Sequence, residues 1–221
     1  MHGTLPPRVR RIGPLEAVEF PAADDAPVVV CLHGFGADMR DLAGLAVELD
    51  LPHPARWLFP NGPLELEWGG RAWFPIAADR LAAYERGEGA FDLAALRPEG
   101  LDAARDAVLA FVAALDVPWE RVVVGGFSQG AMLSVELAVA APAAPRGAFL
   151  LSGNLVDGGG LEARAAVRRG LRFFQSHGTA DPILGYPGAR RLHEALTRAG
   201  WVGDFLSFDG PHAVPPQARA G

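Results

Sequence analysis

Residues 122–130 read VVVGGFSQG, and a helical pattern begins at Gln129. A valine-rich run that leads into the motif G-x-S-x-G and then into a helix is the strand–turn–helix setting of a nucleophile elbow. The sharp turn puts the serine in a strained backbone conformation, and a Cβ on either flanking glycine would clash. The stretch therefore predicts Ser128 as a nucleophile. The alternative interpretation is a glycine-rich loop in which the serine is incidental.

Short apolar runs and helical patterns alternate on both sides of this stretch. The runs predict four buried strands, two weaker strands and one edge strand: Val28–Leu32, Val122–Phe127, Gly147–Leu151 and 171–176, then Arg56–Pro60 and 205–208, then 16–20. The helical patterns cover residues 41–49, 99–115, 129–141, 161–169 and 187–199. Such alternation predicts an α/β fold, a mostly parallel central sheet with helices on both faces. Residues 1–221 are predicted to form a single domain, and the short stretch between Leu151 and Arg172 leaves no room for a cap domain.

Composition excludes several kinds of chemistry. All 20 basic residues are arginine, so there is no lysine for a Schiff base, a phosphate-binding loop or a Ser–Lys dyad. Six scattered histidines and the single Cys31 form no zinc motif, and Met39 stands where a dinucleotide fingerprint would end in glycine. The sequence therefore predicts catalysis by side chains, with no cofactor and no metal.

Charge and hydropathy limit the location and the partners. A net charge of −6 argues against a nucleic-acid partner, which usually requires a basic face. No apolar run reaches 18 residues, so no stable membrane insertion is predicted. No apolar segment follows the early arginines as in a secretory signal, and one cysteine forms no intrachain disulfide. These features predict a cytoplasmic protein.

A serine hydroxyl needs an imidazole base, and on this kind of sheet the partners follow in the order serine, acid, histidine. His212 lies in a loop after the last predicted strand and is the predicted base. His177 ends a strand and is a competing candidate. His193 lies inside a helical pattern, where a solvated position is expected.

The acid should follow a strand between the nucleophile and the base. Asp181 lies in such a turn and is the predicted acid, which would fix the tautomer of His212 and stabilise its imidazolium form. Asp157 is the rival, since some hydrolases carry their acid after the preceding strand. The alternative interpretation of Asp157 is an ordinary turn aspartate before three glycines.

The oxyanion that forms during acyl transfer needs backbone donors that are already in place. One is the N–H of Gln129, directly after the nucleophile. The second is assigned to the N–H of Phe35, because the strand Val28–Leu32 runs into an H-G-x-G-like stretch. His33, which opens that stretch, is predicted to organise the loop rather than to act as a base.

Four segments in this order together resemble the phospholipase/carboxylesterase family, which includes the acyl-protein thioesterases. They are LHGFGAD at 32–38, GGFSQG at 125–130, SHGTADP at 176–182 and GPH at 210–212. The resemblance extends from about Val28 to His212. It implies an α/β-hydrolase fold and a compact cytoplasmic carboxylesterase or thioesterase with the site residues named above. The family usually ends in a helix after the histidine, whereas Pro215 and Pro216 follow here, so less packing behind His212 is expected.

The resemblance also suggests a substrate site. Trp73 and Phe74 lie where the family lines its acyl pocket, so both are predicted to contact substrate. The alternative is that these aromatic side chains pin a long loop to the core. The predicted function is a serine carboxylesterase that hydrolyses short- to medium-chain carboxylic esters through an acyl-serine intermediate. Alternatives are a lysophospholipase or acyl-protein thioesterase, and a non-catalytic binding protein on a hydrolase scaffold. The expected partner is a small-molecule ester or thioester, and a homodimer is compatible with the sequence.

Overall fold

The computed structural model describes residues 6–49, 51–77 and 93–215. Its strands are β1 (Arg8–Ile12), β2 (Leu15–Phe20), β3 (Val28–Leu32), β4 (Arg56–Pro60), β5 (Leu64–Glu65), β6 (Arg71–Ala72), β7 (Val122–Phe127), β8 (Gly147–Leu151), β9 (Arg172–Gly178) and β10 (Val202–Phe208). Its helices are α1 (Leu45–Glu48), α2 (Leu101–Ala113), α3 (Gln129–Ala140), α4 (Gly158–Ala165) and α5 (Tyr186–Arg198). Short 3₁₀ turns cover Trp119–Arg121 and Ala166–Arg168.

Eight of the strands form one sheet in the order β1-β2-β4-β3-β7-β8-β9-β10, and β5 pairs with β6 in a separate hairpin. Six neighbouring strands of this sheet run parallel to one another: β4, β3, β7, β8, β9 and β10. The strands β1 and β2 are antiparallel to their neighbours. The predicted α/β-hydrolase fold, with its mostly parallel sheet and helices, is confirmed. Because the carboxyl ends of the parallel strands share one edge, the loops after β3, β7, β9 and β10 converge there.

Helix α3 follows the predicted elbow and occupies the middle of the core. Every residue from Gln129 to Ala138 is buried, and the helix contacts β3, β7, β8 and α2. A helix that is mostly apolar and buried on all sides needs cover all round, which the sheet and α2 provide. The nucleophile turn is therefore held between two of the most deeply buried elements.

The structure corrects the predicted position of one strand and the predicted bounds of two helices. The strand β2 is not at the edge of the sheet, because β1 pairs with its outer side. The helix predicted at 41–49 is limited to Leu45–Glu48, and the one predicted at 161–169 begins at Gly158 and ends in a 3₁₀ turn. Among the described residues, no helix is both long and apolar enough to cross a bilayer.

A buried carboxylate attaches β1 to the rest of the sheet. Glu19 on β2 is 1% exposed and accepts hydrogen bonds from Arg8, Arg10 and Arg56. Burial would raise the pKa of Glu19, but the hydrogen bonds from Arg8 and Arg10 and the charge of Arg56 outweigh it and lower the pKa to about 2. The edge strand is therefore held by charge pairing around one acid.

This pairing should make stability depend on acid pH. Because the pKa of Glu19 is lower in the folded state, its contribution is fully present above about pH 4.5 and is lost as the pH falls towards 2. The shift corresponds to at most about 3 kcal/mol, and we expect roughly half, since Arg8 and Arg10 are half exposed and screened. Urea unfolding between pH 7 and 2.5 should show a flatter acid limb for Glu19→Gln than for wild type. Glu65→Gln, at an exposed carboxylate, is the control. An unchanged acid limb in Glu19→Gln would contradict the assignment.

Candidate active site

Ser128 stands at the turn between β7 and α3 in a strained conformation, with φ 56° and ψ −116°. Its N–H donates to the Leu151 carbonyl oxygen at 2.8 Å, which anchors the turn to β8. A Cβ on Gly126 or Gly130 would lie 2.2 or 2.1 Å from the Leu32 carbonyl oxygen. Only glycine fits at these two positions, so the sharp turn that raises Ser128 above the sheet is built into the motif.

Asp181 and His212 are joined by a short hydrogen bond. The Nδ1 of His212 lies 2.6 Å from Asp181 Oδ2. The other carboxylate oxygen, Oδ1, accepts the backbone N–H groups of Ile183 and Leu184 at 2.9 and 2.8 Å. Burial would raise the pKa of Asp181, but the hydrogen bonds from His177 and His212 outweigh it and hold this pKa well below its usual range. Asp181 is therefore a fixed anion beside His212.

The loops that carry the acid and the histidine pack directly on each other. A Cβ on Gly178 would lie 2.3 Å from the carbonyl oxygens of Gly210 and Pro211, so the approach requires glycine. The N–H of Ala180 donates to the Gly210 carbonyl oxygen at 3.1 Å. This contact brings Asp181, at the end of the β9 loop, under the loop that follows β10.

His212 is also fixed from the side of the nucleophile. Its ring lies 4.7 Å from that of Phe127, the residue before Ser128, and Ser152 Oγ donates to the Ala213 carbonyl oxygen at 2.9 Å. Val214 packs against an apolar cluster of the sheet. His212 and Ser128 line the same cavity. The structure thus bonds Asp181 to His212 and places His212 and Ser128 on the wall of one cavity, and the histidine is held despite the prolines that follow it.

Neither rival histidine is among the residues that line the cavity beside Ser128. The side chain of His177 is completely buried, with Nε2 3.1 Å from Asp181 Oδ2. The expectation of a solvated His193 is wrong, because its ring lies between those of Phe173 and Phe205 and burial lowers its pKa. It faces the sheet because α5 packs on β9 and β10.

The rival acid, Asp157, immediately precedes α4 in a left-handed conformation with φ 45°. Its carboxylate pairs with Arg97 at 2.8 Å and with Arg164 at 3.1 Å. These contacts engage it in surface ion pairs, as expected for a turn aspartate, whereas Asp181 accepts the short hydrogen bond of His212.

The loop after β3 packs against the nucleophile. A Cβ on Gly34 would lie 3.4 Å from Ser128 Cβ, so the neighbouring Phe35 N–H is beside the elbow. His33 is 2% exposed; its Nδ1 donates to the Gly34 carbonyl oxygen at 2.7 Å, and its Nε2 accepts the Gly62 N–H at 2.9 Å. Both ring nitrogens are engaged within the loop, as expected for a residue that organises it.

Gln129 connects the elbow to the aromatic pair. Its Oε1 accepts the Trp73 N–H at 2.9 Å, and its Nε2 donates to the Phe74 carbonyl oxygen at 2.7 Å. The Trp73 indole N–H donates to the His33 carbonyl oxygen at 2.9 Å. The side chain of Gln129 thus fixes the backbone of residues 73–74, while its own backbone follows the nucleophile.

A cavity of about 560 Å³ opens beside Ser128, a volume typical of ligand pockets. Asp41, Arg97 and Glu99 are among its polar lining residues, and the charge of Arg97 is balanced by Asp102, Asp157 and Glu136. The larger apolar side chains of the lining are Phe35, Phe74, Ile76, Leu93, Leu96, Phe127, Met132, Ile183 and Leu184. An apolar chain is therefore the substrate part that this cavity accommodates best.

Phe74 lines this cavity, but Trp73 does not. Trp73 is 1% exposed and belongs to the main core cluster, with its indole bonded to the loop after β3. The prediction that both aromatic residues contact substrate is therefore retained for Phe74 only, and Trp73 pins the segment to the core. Gln129 holds the backbone of residues 73 and 74 through both of its side-chain polar atoms.

Several wall residues were not predicted from the sequence. Met132 lies one helical turn after Ser128, a spacing that places it on the same face and that could have revealed it. Ile183 and Leu184 follow the acid turn directly. Leu93 and Leu96 carry no comparable signal, because only the tertiary fold brings them to the cavity.

Together, these groups fit acyl transfer. An imidazole held by a carboxylate can take a proton from a serine hydroxyl, and the backbone beside the serine can stabilise an oxyanion. Within residues 6–49, 51–77 and 93–215, no cluster of three or more histidine, cysteine or acidic side chains is arranged to hold a metal ion.

Comparisons with known proteins extend over nearly the whole chain. A model of the phospholipase/carboxylesterase family matches residues 14–218. The acyl-protein thioesterase 1 of Mycosarcoma maydis is 30% identical over 205 residues, which cover 84% of each chain. A solved carboxylesterase from Mesorhizobium loti is 22% identical, with a TM-score of 0.75 over 96% of this chain and 94% of its own. The solved acyl-protein thioesterase 2 of Zea mays is 25% identical, with a TM-score of 0.69 over 93% of this chain and 94% of its own.

Proposed function

The chain belongs to the phospholipase/carboxylesterase family, and we propose that it is a serine carboxylesterase acting on short- to medium-chain carboxylic esters. The observation that carries the proposal is the 2.6 Å hydrogen bond between Asp181 and His212, with His212 and Ser128 on the wall of one largely apolar cavity. The comparisons themselves support a hydrolase with esterase and thioesterase relatives.

The reaction would proceed through an acyl-serine. Ser128 Oγ attacks the ester carbonyl while His212 takes the proton of the hydroxyl. Asp181 stabilises the imidazolium that results. The backbone N–H groups of Phe35 and Gln129 hold the oxyanion, and His212 then gives its proton to the leaving alcohol. A water molecule, deprotonated by His212, then attacks the acyl-serine; the bond to Ser128 Oγ breaks, His212 returns the proton to Oγ, and the carboxylic acid is released. No step needs a cofactor or a metal ion.

An acyl-protein thioesterase is the second candidate, and the 30% identical relative of that name favours it. The same acyl-serine chemistry would serve a thioester. A lysophospholipase is the third candidate, and it would need an apolar channel that accepts a long acyl chain. A non-catalytic binding protein is disfavoured, because the strained Ser128 and the buried Asp181–His212 pair would be costly to keep without a function.

Acyl-chain length separates these candidates. We expect kcat/KM on p-nitrophenyl esters to rise from acetate by roughly fourfold per buried methylene, or about 0.8 kcal/mol each, and to level off near eight carbons. Phe74→Ala should lower kcat/KM for the octanoate more than for the acetate, since only the longer chain reaches the ring; the acetate value also checks that the site is intact. A profile that still rises at palmitate and is insensitive to Phe74→Ala would favour the thioesterase or lysophospholipase.

We also propose that the whole chain works as one domain on a small-molecule ester or thioester. A cytoplasmic location and a homodimer stay predictions from the sequence. Sedimentation velocity at micromolar concentration would decide the oligomeric state.

A further inference from the structure

A second histidine contacts the carboxylate that holds His212. His177 ends β9, and its side chain is completely buried. Its Nε2 lies 3.1 Å from Asp181 Oδ2, the oxygen that His212 Nδ1 approaches to 2.6 Å. The two imidazoles therefore share one carboxylate oxygen, and only that of His212 lines the cavity.

The surroundings of His177 fix its tautomer. Besides Asp181 Oδ2, its Nε2 faces the Leu184 carbonyl oxygen at 2.7 Å. Two acceptors at one ring nitrogen require a proton there, so Nε2–H is a donor to both. In the described part of the chain, His177 Nδ1 is buried and has no hydrogen-bond partner. His177 is thus a fixed hydrogen-bond donor, away from the reacting atoms.

These contacts close a ring around the carboxylate. Leu184 donates its N–H to Asp181 Oδ1 and accepts from His177 at its carbonyl oxygen. With Ile183 N–H and His212, each carboxylate oxygen then receives two donors. Without His177, the bond to His212 would be the only one to Oδ2 within residues 6–49, 51–77 and 93–215.

We propose that His177 is a positioning residue: its Nε2–H holds the Asp181 carboxylate so that Oδ2 faces the Nδ1 proton of His212. The inference rests on the proposed function, since it assigns Asp181 and His212 as acid and base. In the reaction, the imidazolium of His212 forms and disappears twice, and the carboxylate must keep one orientation throughout. His177 supplies that constraint and transfers no proton itself.

Three substitutions separate a hydrogen-bond donor from a packing residue. His177→Gln can place an amide N–H near the original Nε2, His177→Asn has the same amide but is too short to reach Asp181, and His177→Leu fills the space without a donor. We expect kcat on p-nitrophenyl butyrate to fall about 10- to 100-fold in the Asn and Leu variants, with KM changed less than about threefold, as when the partner that orients a functional group is removed. The Gln variant should recover to within about fivefold of wild type.

The controls keep this test independent of the proposed function. His193→Gln, at a partly buried histidine that does not contact Asp181, should leave kcat unchanged. The wild type must first be shown to be active and Ser128→Ala to be inactive. If either result is not obtained, the proposed function itself is overturned. If those controls hold, wild-type kcat in folded His177→Leu and His177→Asn would overturn the role of His177. The role would also be overturned if His177→Gln were as slow as the Asn and Leu variants, because packing of the imidazole and not its N–H donor would then account for the loss of kcat. Circular dichroism establishes folding, and the Gln–Asn comparison remains decisive if the Leu variant does not fold.

Discussion

Ser128→Ala is expected to lower kcat for p-nitrophenyl butyrate by about 10⁵- to 10⁶-fold, because no other group can form the acyl intermediate. The lower kcat should come from the loss of the nucleophile, because the variant is expected to fold like the wild type. Alanine keeps the Cβ of serine, so it is strained to the same degree at φ 56°, and the N–H bond to Leu151 is unaffected. The residual rate should come from the oxyanion donors and substrate binding alone.

Ser134→Ala is the matched control. Ser134 lies on α3, the helix that follows Ser128; it is buried and donates from Oγ to the Gly130 carbonyl oxygen at 2.8 Å. Its loss should cost about 1 kcal/mol of stability and leave kcat within a few-fold of wild type. Steady-state kinetics and thermal unfolding of both variants check the pair. Substantial turnover by folded Ser128→Ala would remove Ser128 from the mechanism.

Asp181→Asn is expected to lower kcat by about 10⁴-fold, the size recorded for the same change in another serine triad. The structure gives the reason in this chain. Oδ1 accepts the N–H groups of Ile183 and Leu184, so an asparagine must place its amide oxygen there. Its NH₂ group then faces His212 Nδ1, which must become an acceptor. The proton moves to Nε2, and that nitrogen can no longer accept the proton of Ser128.

Asp157→Asn is the matched control for the acid. It weakens partly exposed ion pairs with Arg97 and Arg164, which should cost about 1 kcal/mol or less. The value of kcat should stay within about threefold of wild type. If the two variants exchanged their effects, the acid would be Asp157.

The sheet was predictable where its strands are buried on both faces. All five residues of β3 are buried, and most residues of β7 and β8 are buried too, so each strand appears in the sequence as a continuous apolar run. β1 could not be predicted in this way, because four of its five residues are exposed and three are arginines. Besides its backbone ladder to β2, it is held by the buried Glu19 on that strand, and sequence spacing does not reveal such a partner.

The site was predictable where chemistry and backbone geometry are local. The turn around Ser128 and the turn before Asp181 carry their own glycines, and the order of the three residues follows from the strand order. The orientation of Trp73 depends on bonds to Gln129 and His33, both distant in sequence. The role of His177 depends on where the Leu184 carbonyl points, which only the folded turn determines.

Covalent labelling tests the central claim most directly. Wild-type protein is treated with a fluorophosphonate, digested, and the modified peptide is identified by tandem mass spectrometry. Ser128 is predicted to carry a single adduct, formed slowly in Asp181→Asn and absent in Ser128→Ala. An adduct on a different residue, or an unmodified protein that still hydrolyses p-nitrophenyl butyrate, would contradict the assignment of Ser128 as the nucleophile.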